Sequence, residues 1–137
     1  MLLVAVLAGC GGGKALSRQE YASKADAICG KSSQQVKALA RPSNLADLAK
    51  VADTALPILD HAISDWRKLK PPKDEEKIVG QWLGQAENLK ADLTEIRDKA
   101  KSNDLQGVQA VVPKAQQHDA RSKELATELG MTVCNKD

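Results

Sequence analysis

The stretch Leu16-Ser17-Arg18-Gln19-Glu20-Tyr21-Ala22-Ser23-Lys24-Ala25-Asp26-Ala27-Ile28-Cys29 decides the fold. Ser17 and Glu20 stand at capping-box spacing, where a Ser hydroxyl and a Glu carboxylate each take up a backbone N–H that the first helical turn leaves unpaired. Leu16 and Tyr21 flank them as the two halves of a hydrophobic staple. A helix therefore starts here. Beyond the start, Tyr21, Ala25, Ile28, Ser32, Val36 and Leu39 follow at alternating steps of four and three, which lays them along one face. The helix is expected to end near Ala40, because Pro42 disfavours helical geometry at Arg41.

The same spacing recurs in three further segments. Ser43 or Asn44 caps the second, with Leu45, Leu48, Ala52, Ala55, Leu59, Ala62, Trp66 and Leu69 on one face. Pro57 inside it predicts a bend or a division into two helices. Lys70-Pro71-Pro72-Lys73 is a rigid break, after which Asp74-Glu75-Glu76 places negative charge where a helix dipole favours it. The third stripe is Ile78, Trp82, Gln85 or Ala86, Leu89, Leu93, Ile96 and Ala100. Ser102-Asn103-Asp104 makes a tight connection to a fourth, formed by Leu105, Val108, Val112, Ala115, Ser122, Ala126 and Leu129. Pro113 lies within that segment and Gly130 stops it. Four such stripes on short links predict an all-α, up-down-up-down antiparallel four-helix bundle, one domain over residues 16–137.

Composition points the same way. Of 137 residues only 2% are aromatic, too few to supply a β-sandwich or barrel, whereas Ala, Leu, Lys, Gln and Glu abound. Twenty basic and 18 acidic residues are interspersed to a net charge of +2, so no basic stripe exists to neutralise a phosphate backbone, and nucleic-acid binding is not expected.

At the N-terminus an apolar run from Leu2 to Ala8 leads into Leu7-Ala8-Gly9-Cys10 and then Gly11-Gly12-Gly13. This resembles the lipobox of bacterial lipoprotein signal peptides. The resemblance implies that residues 1–9 are a signal peptide, that Cys10 is acylated and becomes the first mature residue, and that residues 10–15 are a flexible tether. The run is far short of the roughly 20 residues needed to span a bilayer as a helix. It also lacks the positively charged segment that opens a secretory signal, so the true start is expected upstream of Met1. Localisation follows as export, with a lipid anchor on the outer face of the bacterial cytoplasmic membrane.

With Cys10 given to lipid, Cys29 and Cys134 remain as an even pair in an oxidising compartment, and a disulfide between them is expected, buried free thiols being the alternative. In an antiparallel bundle the residues after Gly130 would then turn back along the first helix. Gly30 would leave room for them beside Cys29.

Ala25-Asp26-Ala27-Ile28-Cys29, the mid-chain Leu69-Lys70-Pro71-Pro72 and the closing Leu129-Gly130-Met131-Thr132-Val133-Cys134, together with residues 16–21, resemble a group of small exported lipoproteins, mostly uncharacterised, of high-GC Gram-positive bacteria. The resemblance implies the paired cysteines and a helical domain. It supplies no catalytic residues.

Four groups of side chains invite a functional reading. His61 and His118 fall at similar heights on the second and fourth helices, level with Asp26 and Glu87, but the Glu-x-x-His pairs of di-iron bundles are missing, which favours solvated boundary residues over a metal site. Trp66 and Trp82 either wall a small apolar pocket, with Gly80 and Gly84 admitting a neighbouring chain, or plug the end of an Ala- and Leu-rich core. Arg67, Lys68, Lys70, Lys73 and Lys77 cluster at the turn after the second helix, where they either face an anionic membrane or form an ordinary solvated turn. Asp53, Asp60 and Asp65 read as solvated faces. No phosphate loop, nucleophile elbow or His-Glu-x-x-His occurs, so neither an enzyme nor a cofactor is expected. The sequence thus suggests a lipid-anchored binding or scaffolding module for an unknown envelope protein or small ligand. The alternative is a small-ligand or metal carrier using the bundle interior.

Overall fold

The structure, a computed structural model, describes residues 13–136. The expected signal peptide over residues 1–9, Cys10 and residues 11–12 of the expected tether lie outside the described residues. Four helices form: α1 (Arg18–Lys37), α2 (Leu45–Lys68), α3 (Glu76–Lys101) and α4 (Leu105–Glu128). The chain is all-α, and its helices pack in sequence order, α1 on α2, α2 on α3 and α3 on α4.

Local chemistry sets the ends. The Ser17 hydroxyl accepts the Glu20 N–H at 3.2 Å while the Glu20 carboxylate accepts the Ser17 N–H at 2.8 Å, completing the capping box. Asn44 caps α2 by accepting the Asp47 N–H at 2.8 Å. Between α3 and α4, Asn103 adopts φ 58°, and Asp104 caps α4 through the Gly107 N–H. At the end of α4, Gly130 has φ 77° and the Met131 N–H reaches the Ala126 carbonyl at 2.9 Å, a closure that needs the left-handed backbone glycine adopts freely.

Two expectations about the helices are corrected, and one is resolved. α1 stops at Lys37, with Ala38 as its C-cap, rather than near Ala40, and its last turn is exposed, Val36 by 47%. Pro57 and Pro113 are exposed, and of the two readings of Pro57 the single helix holds: α2 and α4 each run through their proline undivided. The buried positions also shift: Val79 and Asp92 are buried where Ile78 and Leu93 were expected, and Val111 where Val112 was. The core-facing stripe of a packed helix is at least about 100° wide, so two adjacent residues can both border it, and tertiary packing decides which one is buried.

The topology is the up-down-up-down bundle. At one end, here called the base, the Leu16 N–H donates to the Lys70 carbonyl at 3.0 Å. Beside it the Arg18 guanidinium bonds the Glu128 carbonyl and pairs with Glu75 at 3.1 Å. The start of α1, the turn from α2 to α3 and the end of α4 therefore meet there. At the far end Lys101 pairs with Asp53 at 2.8 Å. The main core fills the base half with Tyr21, Ala25, Ile63, Trp66, Trp82, Leu125, Leu129 and Met131. A smaller cluster of Ala49, Ala100 and Val108 holds the far end, where α1 contributes nothing.

Candidate functional site

The departure of α1 creates the site. Its first half carries Tyr21, Ala22, Ala25 and Cys29 into the core, but from Ser32 onward its residues are half-buried or exposed. Where it diverges, a cleft of about 370 Å³ opens between α1, α2, α3 and α4. Trp66, Trp82, Ala86, Leu89 and Leu59 form its floor, and Cys29 and Cys134 lie in its wall. Ser33 and Val36 make one lip on α1, Asp119 and Ser122 the other on α4. That volume falls in the range of small-molecule sites, and the lining follows their pattern of apolar surface with few polar groups.

The two indoles lie in the main core and also line the cleft. Their ring centroids are 4.8 Å apart at 60°, and both are nearly buried, so they plug the core while their edges face the cleft. Trp66 Nε1 donates to the Ala25 carbonyl at 3.3 Å, which satisfies its one polar group and ties α2 to α1. Gly80 and Gly84 take no part in the cleft. Both are exposed, and a Cβ on either meets nothing within 4 Å, so no chain approaches them. Each sits in a helix interior, where glycine is less favourable than alanine by about 1 kcal/mol. Gly84→Ala is expected to raise the unfolding free energy by about 1 kcal/mol, and an unchanged midpoint in urea unfolding would contradict this. Gly30 does face the tail, with the Val133 Cγ1 at 3.9 Å from a built Cβ. That is ordinary contact rather than a need for glycine.

Cys29 and Cys134 form the expected disulfide, with their Cα atoms 5.3 Å apart. Asp26, one turn before Cys29 on α1, holds the same tail. Its carboxylate accepts the Thr132 N–H at 2.8 Å, the Val133 and Cys134 N–H groups at 2.9 Å each, and the Thr132 hydroxyl at 3.2 Å. Burial works to raise the Asp26 pKa, but these donors favour the charged form more strongly and the net shift is downward from 3.8. The unfolded chain therefore takes up the proton first. The stabilisation is complete above that ordinary value and is lost as pH falls below it towards the folded value. Asp26→Asn, whose amide turns a donor towards donors, is expected to cost about 2 kcal/mol at neutral pH and to flatten the acid limb of the stability curve. Denaturant midpoints across an acid pH series test both.

His118 is not a free boundary residue. Its Nδ1 lies 2.6 Å from Oδ2 of Asp92, a carboxylate only 1% exposed, and the Lys114 ammonium lies 3.1 Å from Oδ1. Burial alone would raise the Asp92 pKa, but the bonds from His118 and Lys114 outweigh it and lower the value. The arrangement clamps α4 to α3. His61 is exposed on α2, beside Lys31, Asp65 and Lys68. Asp26 holds the tail and Glu87 pairs with Arg67, so the four residues read as level with one another have separate partners. Among the described residues no group of three or more His, Cys, Asp or Glu side chains converges as a metal site.

The basic cluster lies at the base. All five side chains are exposed; Arg67 pairs with Glu87 and Lys68 with Asp65, while Lys70, Lys73 and Lys77 extend around the turn. Of the neighbouring acids, Glu75 turns inward to Arg18 and is nearly buried, leaving Asp74 and Glu76 outside. Burial, aided by the Glu75 charge, pushes the Tyr21 hydroxyl up to about 12. Asp53, Asp60 and Asp65 make exposed ion pairs with Lys101, Lys90 and Lys68.

No family model, curated protein or solved structure matches this chain. The cleft and the stapled tail therefore stand on their own chemistry.

Sequence reasoning missed two features, the buried Asp92 and the capture of the tail by Asp26. Only the second left a signal, an acid three residues before Cys29 on a helix whose cysteine was expected to bind the tail.

Proposed function

We propose that this chain is a lipid-anchored binding module of the bacterial cell envelope, attached through Cys10 to the outer face of the cytoplasmic membrane and acting without catalysis. The lipobox-like Leu7-Ala8-Gly9-Cys10 carries the reading. The course of the chain into the bundle supports it. Gly13 lies against the Lys70 side chain and the Leu16 N–H bonds the Lys70 carbonyl, so the tether reaches the bundle at its basic base. An anchored chain would turn Lys70, Lys73 and Lys77 to the lipid, where each cation gains up to about 1 kcal/mol near an anionic surface. The cleft would then open sideways, about a dozen residues up α1 from the membrane. A second reading, a carrier for a small ligand, is favoured by the volume and apolar floor of that cleft.

Cys10→Ala tests the anchor. Expressed in a bacterium that processes lipoproteins, the variant is expected to leave the membrane fraction, because seven apolar residues are too few to hold the chain in a bilayer. Retention in the membrane at the wild-type level would overturn the reading.

A further inference from the structure

We infer that the cleft between α1 and α4 is a binding site for an uncharged amphiphile, a molecule with an apolar body and one hydroxyl or carbonyl group. This extends the binding-module reading by naming what is bound, and it is tested separately from the anchor. The floor supplies only apolar contacts: Leu59 and Leu89 flank the two indoles, and the one indole N–H of Trp66 is already bonded to the Ala25 carbonyl. A charged group placed there would lose its hydration with no partner to replace it.

The polar groups stand on the lips. Ser33 on α1 and Ser122 on α4 are half-buried hydroxyl residues of the lining, while the Ser32 hydroxyl donates to the carbonyls of Ile28 and Cys29 at 3.1 and 3.0 Å. Lys37 and Asp119 are the charged residues of the lining, one of each sign, so the lining has no net charge to select an ion. The frame is preformed. The disulfide and Asp26 fix the wall formed by α1 and the tail, which limits the ordering that a ligand must impose.

Trp66 and Trp82 are the only tryptophans, and both border the cleft, so their emission reports its occupancy. The test uses the full chain with Cys10→Ser, so that no acyl chain of its own competes, and the uncharged dye N-phenylnaphthylamine as probe. Saturable quenching of tryptophan emission with a matching rise in dye emission is expected. Ser122→Phe and Ser33→Phe, which fill the opening from opposite half-buried lips, are each expected to weaken the dye by about tenfold while leaving the unfolding midpoint near wild type. Displacement by octanol, octanoate and octylammonium then reads the charge preference, with octanol favoured by about tenfold over both ions. Three results would overturn the inference: no saturable quenching, dye binding unaffected in both variants, or an ion that displaces the dye as well as octanol does.

Discussion

Loss of the Cys29–Cys134 disulfide is expected to lower stability by about 4 to 5 kcal/mol, comparable with the whole net stability of a small domain. The two residues are 105 apart in sequence, so the bridge closes nearly the entire domain and removes much of the freedom of the unfolded chain. The folded state has its own interest in the bridge. α1 packs mainly against α2, and the tail, whose Met131 and Cys134 are buried in the main core, joins it to α4 together with the bond from Arg18 to the Glu128 carbonyl. Thermal unfolding with and without reductant, and of Cys134→Ser, measures the loss. A shift of only a few degrees would mean that the four bonds from Asp26 hold the tail unaided. Reduced Asp26→Asn separates the two contributions, because residues that grip one segment are not expected to act additively.

Trp82→Ala is the second large effect, a loss of about 3 to 5 kcal/mol. Trp82 is among the largest fully buried side chains, 2% exposed, and it lies at the junction of α3 with the main core. Its removal takes away the ring contact at 4.8 Å with Trp66 and leaves a cavity next to the existing cleft. Urea unfolding followed by the remaining Trp66 gives the size of the loss. A cost below about 1 kcal/mol would mean that the floor collapses to fill the space, and that the cleft is softer than its preformed wall implies.

Much of the architecture was legible because helix starts and turns are local chemistry. Ser17, Glu20, Asn44, Asp104 and Gly130 act through partners within a few residues, and each marks the boundary that its type predicts. The faces were legible only approximately, since apolar spacing does not decide which of two adjacent residues on the edge of a stripe is buried, and positions such as Val111 and Asp92 were misplaced by one residue. The disulfide was legible from cysteine arithmetic. The grip of Asp26 was not, because it joins residues 106 to 108 apart through backbone N–H groups that every sequence carries.

The cleft was half legible. Its two indoles were recognised, but Gly80 and Gly84 were wrongly joined to them, since a glycine in a helix reads as close packing or as open space with equal ease. What makes the cleft is the divergence of α1. The last turn of α1, Gln34, Gln35, Val36 and Lys37, is exposed throughout, so that end of the helix buries no apolar side chain. The triplet of Asp92, Lys114 and His118 joins two helices across 22 to 26 residues and has no signature in either one alone.

The most direct measurement is the mass of the N-terminal peptide of the protein recovered from the membranes of a bacterium that processes lipoproteins. The anchored-module account predicts a peptide that begins at Cys10 and carries a diacylglycerol on its sulfur. A peptide that retains residues 1–9, or one with an unmodified Cys10 thiol, would contradict it.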